Sequence, residues 1–587
     1  MDADDGDAQR LEQVRAMARA CGVLARWLEH RASEAAEDAS LRHMRRAFLE
    51  VLLRTAMNPE QLLTAGSDLC ERSASLCQTL ARPGETAPPP REDRRFRDPA
   101  WTENPFFDFA RRSYLLGADW LQQVVANAQG VDRPTALKAR FYTRQLTEAL
   151  APSNLPVLNP EVLRAARESG GRTLRSGLEA LLTDLERGQG RLAPRMTDTR
   201  TFKLGENLAV TPGEVIYEDT LFQLLQYRPT TATVYRRPLL VIPPWINKYY
   251  ILDLRPENSF VRWAVERGYT VFLVSWVNPD ASHAHVDLEH YLLRGLLPAL
   301  EATTRATGEQ QVSALGYCIG GTLLATGLAY LAAQADERIQ SATLLTTQVD
   351  FSEPGDLGAF IDGPQLEHLE ASMRQRGYLD GVDMMTTFNL LRAKELFWPF
   401  VVNNYLLGRE PAPSDFLYWS SDPTHLPARA HATYLRELYL HNRLVQPGAL
   451  CFGETPLDLG RVRIPLYVQA CREDHIAPFR SVYRGLRHFS GPKRFVLAGS
   501  GHVAGVINPP AANKYRHWVA EPEPLAPDAD AWLTGAVERP GSWWTDWDAW
   551  LSERSGPRVP ARSPGDGALH PIEAAPGRYV RTRILPE

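Results

Sequence analysis

Apolar residues recur at two different periods along this chain, and the change of period divides it in two. From residue 9 to 80, Leu, Ala, Arg and Glu fall at helical spacing with few β-branched residues, which predicts helices. The Pro run and charge cluster of TAPPPREDRRFRDPAW (86–101) break that pattern. Helical periodicity returns over 106–127, 135–150 and 160–187, and RGQGRLAPRMTDTRTFKLGENLA (187–209) reads as a linker. Beyond it stand the short strand-like runs Val215–Tyr217 and Thr233–Tyr235. Four apolar runs bounded by polar or turn residues follow: 238–245, 269–276, 312–317 and 341–351. That is how buried parallel strands read. Helical segments at 258–267, 288–304 and 322–334 separate them, and such alternation predicts a doubly wound, mostly parallel sheet.

The alternation lapses over about 352–447, a stretch rich in aromatic and long helix-forming residues, then resumes with IPLYVQA (464–470) and RFVLAGS (494–500). An interruption of that size predicts a helical cap inserted over an active site. The expected organisation is a mainly helical domain over 1–195 and an α/β domain over 196–587 that carries the cap. The Pro/Gly-rich tail, 556–576, reads as loop.

Composition narrows the function classes. A chain of 587 residues is too long for one core. Its net charge of −5 gives no reason to expect nucleic acid or an anionic membrane as partner. The opening MDADDGDAQR is acidic with no apolar centre, unlike a secretory signal, and no apolar run reaches transmembrane length. Six cysteines, none in a CxxC pair, are too sparse for a disulfide scaffold or a structural zinc site, and point to reducing cytoplasm.

One of those cysteines stands in Gly316-Tyr317-Cys318-Ile319-Gly320-Gly321, between a strand-like and a helix-like run. This is the nucleophile elbow of α/β-hydrolases with cysteine in place of serine. Gly316 and Gly320 permit the sharp turn that lifts the sulfur to its tip. A thiolate accepts an acyl group from a thioester and then offers it onward, so the swap suggests acyl transfer over plain ester hydrolysis. In this fold the acid and then the histidine follow the nucleophile in loops after later strands. Asp474 and His502 occupy those places, 28 residues apart (502 − 474). Glu473 and His475 are their nearest competitors. The backbone N–H of Ile319 is the expected first oxyanion donor. In the loop after an early strand, Pro243 and Pro244 lack an N–H, leaving Trp245 or Ile246 as the second donor, with Asn247 either assisting or holding the turn. His283, His285 and His290 have metal-like spacing but lie in a polar loop, so no metal is expected. Trp543, Trp547 and Trp550 at helical spacing predict docking onto the core.

With these residues assembled, the chain resembles the poly(3-hydroxyalkanoate) synthases, the single-subunit class I type in particular. The match runs from about residue 94 to the C-terminus through RRFRDPAW, PPWINKYYILDLRPENS, SWVNPD, GYCIGGTL, FVVNNYLLG, REDHIAP, SGHVAGVINPP, GSWWTDW and APGRYV. The resemblance implies an α/β-hydrolase fold and polymerisation of (R)-3-hydroxyacyl-CoA, with short-chain units such as 3-hydroxybutyryl. Cys318 would carry the acyl group and free CoA would leave. His502 would be the base, and Asp474 would either orient it or activate the substrate's 3-hydroxyl. His475 would support the acid or its loop. No cofactor is implied. The family is typically active as a homodimer on the surface of a cytoplasmic granule of its own polyester, with granule-associated proteins as possible partners. Its N-terminal domain aids dimerisation or granule contact. Tyr405, Trp419 and Tyr434 are cap aromatics that could line a substrate path. A cysteine thioesterase, esterase or depolymerase would use the same triad, and a non-catalytic granule scaffold would not need it.

Overall fold

The computed structural model describes residues 49–51, 53–54, 58–81, 93–188, 192–521 and 524–584. Residues 9–48 of the predicted N-terminal helices lie outside the described residues, as do residues 86–92 of the Pro-rich break. The chain separates into two compact units, Met1–Asp198 with Thr386–Pro413, and Thr199–Met385 with Ser414–Glu587. The stretch 352–447 therefore divides: its middle belongs to the first unit and its two ends to the second.

The first unit is helical, with α1 (Pro59–Ala81), α2 (Pro105–Ala126), α3 (Arg133–Ala149), α4 (Pro160–Glu168) and α5 (Arg172–Arg187). Their starts follow from local chemistry. Asn104, Asp132 and Asn159 cap the first-turn amides of α2, α3 and α4, and each of these helices has proline in its opening turn, where a missing N–H costs nothing. Tyr405, predicted as a cap aromatic, donates its hydroxyl to Asp184 Oδ2 at 2.8 Å inside this unit.

The second unit is built on an 11-stranded sheet. Its strands are β1 (Gly213–Glu218), β2 (Phe222–Tyr227), β3 (Leu239–Ile242), β4 (Val271–Trp276), β5 (Val312–Tyr317), β6 (Ile339–Leu345), β7 (Leu466–Cys471), β8 (Lys493–Ala498), β9 (Arg516–Val519), β10 (Val537–Pro540) and β11 (Glu573–Ala574). Their order is β10-β9-β8-β7-β6-β5-β3-β4-β2-β1-β11. The run from β8 to β4 is parallel throughout, and the strands outside it pair antiparallel. Every residue of β3, β4, β5 and β7 is buried, as both-face coverage of a parallel sheet requires. The predicted strand Thr233–Tyr235 forms but stays out of this sheet, pairing with Arg558–Pro560 from the tail.

Parallel strands all end on one edge, and there their loops converge. Ile242, Tyr317, Leu345, Cys471 and Ala498 are the last residues of β3, β5, β6, β7 and β8. The predicted Trp cluster lies buried on the sheet. Trp543 and Trp544 donate their indole N–H groups to the carbonyls of Gly505 and Val506, 2.8 and 2.9 Å away, which anchors the chain just after His502.

Candidate active site

Cys318 sits between β5 and helix α6 (Ile319–Ala333) with φ 54° and ψ −125°. A non-glycine residue in that conformation is strained, and strain of this kind collects at functional sites. It is held by a bond from Cys318 N–H to Leu345 O at 2.9 Å and from Gly321 N–H back to Cys318 O at 2.9 Å. The glycines permit the close approach. A Cβ on Gly316 would lie 2.5 Å from Gly321 Cα, and one on Gly320 would lie 2.3 Å from Ile242 O. Cys318 remains partly exposed.

His502 and Asp474 are both buried beside it. The imidazole Nδ1–H donates to Asp474 Oδ2 at 2.6 Å, and the ring also hydrogen-bonds Cys318. With Nδ1 committed to the carboxylate, Nε2 is the nitrogen left for the sulfur. Tyr317 stacks on the ring, centroids 5.7 Å apart, and donates its hydroxyl to His502 O. Burial alone would push the imidazolium pKa down. The charges of Asp474 and Cys318, and the hydrogen bonds to both, outweigh it and hold His502 well above the usual histidine range.

Both oxygens of Asp474 are engaged. Its Oδ1 accepts the backbone N–H groups of Ile476 and Ala477 at 2.8 and 2.9 Å, while Oδ2 serves His502. The competitors stand differently. Glu473 is exposed, and His475 is only partly buried, so the carboxylate–imidazole pair is made by Asp474 and His502.

Across from the elbow lies the loop after β3. Ile319 opens α6, where first-turn amides have no acceptor within the helix. Trp245 is buried, its ring stacked on Tyr291 at 4.2 Å, and Ile246 is partly buried. Asn247 takes φ 64°, its N–H is spent on Thr424 Oγ1 at 3.0 Å, and its Nδ2 donates to Trp419 O at 3.4 Å. Those bonds hold the turn and commit the Asn247 amide within it.

The sequence assigned no role to Lys248, Tyr250, Asp422 or Tyr439. Lys248, four per cent exposed, pairs with the buried Asp422 at 2.7 Å, and Tyr250 donates to the other oxygen of the same carboxylate. Burial lowers the Lys248 ammonium pKa, and Asp422 opposes that shift. The predicted cap aromatic Trp419 donates its indole N–H to Lys248 O at 2.7 Å. Tyr434, also predicted, meets Tyr439 within a π-helical turn, Tyr434–Leu440, with ring centroids 5.3 Å apart. Burial raises both phenol pKa values and the nearby Cys318 raises them further. Residues five apart diverge on an α-helix, so Tyr439 becomes Tyr434's neighbour only through the wider turn.

His283 and His290 are accounted for without metal. Each closes a capping box with the aspartate three residues before it, Asp280 and Asp287. Among the described residues no cluster of His, Cys, Asp or Glu is arranged to hold a metal, and no helix is long and apolar enough to cross a membrane.

Comparison with known proteins bears on the family and the fold. The family described as poly-beta-hydroxybutyrate polymerase (PhaC) N-terminus matches residues 92–264, and the alpha/beta hydrolase fold matches 257–509. The poly(3-hydroxyalkanoate) polymerase subunit PhaC of Rhizobium meliloti (strain 1021) is 51% identical over 495 residues, covering 84% of this chain and 80% of the relative. The poly(3-hydroxyalkanoate) polymerase of Methylorubrum extorquens is 47% identical, with 92% and 90% covered. The Cupriavidus necator subunit is 42% identical, with 91% of each chain covered. Identity of this extent over nearly whole chains, on an α/β-hydrolase sheet, shows that the chain belongs to the poly(3-hydroxyalkanoate) polymerase family, enzymes of the acyltransferase type.

Proposed function

We propose that this enzyme polymerises (R)-3-hydroxyacyl units from their CoA thioesters into polyester, short units such as 3-hydroxybutyryl above all, through an acyl-Cys318 intermediate. The observation that carries the reading is the Asp474–His502 pair set against a strained, partly exposed Cys318, in a chain whose near relatives are polymerases.

His502 Nε2 takes the proton of the Cys318 thiol, its raised pKa favouring the thiolate–imidazolium pair, and the sulfur attacks the thioester carbonyl. The oxyanion that forms accepts the N–H of Ile319 and that of Trp245 or Ile246. Collapse expels the CoA sulfur, which recovers the proton from His502, and the acyl group remains on Cys318. A 3-hydroxyl then loses its proton to His502 and attacks an acyl-Cys carbonyl. The C–O ester bond forms, the C–S bond breaks, and the Cys318 sulfur recovers the proton. The thioester supplies the driving force, so no cofactor is required.

The short bond from His502 to Asp474 Oδ2, with Oδ1 taken by two backbone amides, supports the role of orienting His502 over that of activating the 3-hydroxyl directly. The same reading makes the enzyme a cytoplasmic homodimer at the surface of its insoluble product. It is tested by following CoA release from 3-hydroxybutyryl-CoA while sizing the acyl product. High-mass polyester supports it; free 3-hydroxybutyrate as the main product makes the enzyme a cysteine thioesterase instead.

A further inference from the structure

A small apolar cavity lies alongside the elbow, and the reaction just described gives it no task. Its volume is about 20 Å³, and by that measure a water-sized group needs about 10–15 Å³. It has room for one small group and no more. Three of its walls stand next to the reacting carbonyl: Ile319 follows the nucleophile, Trp245 belongs to the second donor loop, and Tyr434 comes from the turn facing Cys318. Leu450 and Phe452 also line it.

The two threonines that line it present no hydroxyl. Thr322 Oγ1 donates to Gln348 O and Thr326 Oγ1 donates to Thr322 O, both at 2.8 Å, so each has its polar atom committed elsewhere. A cavity walled mainly by hydrocarbon, with its threonine hydroxyls committed elsewhere, takes hydrocarbon. In a 3-hydroxyacyl thioester the one hydrocarbon branch near the carbonyl is the substituent on C3, two carbons away.

On the basis of the polymerase reading, we infer that this cavity receives the C3 substituent of the unit carried by Cys318 and limits it to about the size of a methyl group. Leu450 and Phe452 are then specificity-determining residues, and Thr326 fixes the depth. A surplus methylene with nowhere to go is worth roughly 10–200-fold in kcat/KM.

The experiment compares kcat/KM for 3-hydroxybutyryl-CoA and 3-hydroxyhexanoyl-CoA in the full-length enzyme and in Phe452→Ala, Leu450→Ala and Thr326→Leu. The native enzyme should favour the shorter substrate by at least about tenfold. Phe452→Ala should raise the long-to-short ratio by about tenfold or more, and Thr326→Leu should depress turnover of both substrates. Should Phe452→Ala fail to fold, Leu450→Ala, at a partly exposed wall, carries the same prediction. A native-like rate of Cys318 alkylation by iodoacetamide identifies the variants whose elbow is intact. A ratio unchanged within about twofold in such variants overturns the cavity assignment and leaves the polymerase reading standing. Failure of the native enzyme to make polymer from either thioester overturns the reading itself, and the cavity's role with it.

Discussion

The elbow at Cys318 and the loop after β3 both hold positive-φ backbone at the strand ends of the sheet, and they do so by opposite means. At the elbow, glycines let backbone pack on backbone, within the turn itself and against the ends of β3 and β6. In the β3 loop, Asn247 at positive φ and Lys248 are tied to Thr424 and Asp422, 177 and 174 residues away, through buried polar contacts. One turn is held by the absence of side chains and the other by side chains that arrive from the cap's far end. The first fails when atoms are added, and the second fails when charges or hydrogen-bond partners are removed.

The largest expected effect lies at the elbow's tip. Cys318→Ala should reduce turnover by about 10⁴-fold or more with little change in melting temperature. Asp474→Asn should follow, with a loss of about 10³–10⁴-fold in kcat, because the amide no longer holds the correct imidazole tautomer. It also carries a pH signature. The folded protein raises the His502 pKa above its ordinary value, so the stabilisation from this pair is complete below about 6.5 and is lost as pH rises through the raised value. The melting-temperature gap between native enzyme and Asp474→Asn should therefore be widest near pH 6 and shrink toward alkaline pH. A gap independent of pH would contradict the charge assignment.

Adding one carbon tests the elbow's mode of construction. In Gly320→Ala the new Cβ would meet Ile242 O at 2.3 Å and Pro243 O at 2.5 Å, so the end of β3 must move. Turnover should fall about 100-fold, with the melting temperature lowered as well.

The β3 loop should respond to subtraction. Lys248→Met removes the nearer of the two cations at buried Asp422, leaving Arg583 at 3.8 Å, and should cost about 3 kcal/mol, read from urea unfolding. The double variant Lys248→Met with Asp422→Leu should regain much of that stability, yet keep a depressed kcat because the donor loop has lost its tether. Recovery of kcat along with stability would show that the pair serves folding alone. Smallest is Thr424→Val, which removes the acceptor for Asn247 N–H at a cost of about 1–3 kcal/mol.

The contrast between the two turns also explains what could be read from the sequence. Cys318 was legible because glycines at fixed offsets announce the elbow, and Asp474 and His502 because chain order after successive strands is a property of the fold. The parallel strands were legible as short apolar runs, although β6 ends at Leu345, short of the predicted 351, where Thr346 turns to φ 41°. By contrast β2 escaped, since FQLLQY buries Gln223 and Gln226 and so hides its burial behind polar letters. Gln223 is answered by Glu218 and Glu573, the latter 350 residues distant. Lys248, Asp422 and Tyr439 were silent for a related reason. Their meaning lies in pairings that no local spacing encodes, one across the cap and one through a π-helical turn.

The most direct test of the whole account is peptide mapping of the enzyme quenched early in turnover of 3-hydroxybutyryl-CoA. The account predicts 3-hydroxybutyryl mass increments on the peptide that carries Cys318, appearing as CoA is released and absent from Cys318→Ala. CoA release without acyl mass on that peptide, or undiminished release by Cys318→Ala, would contradict it.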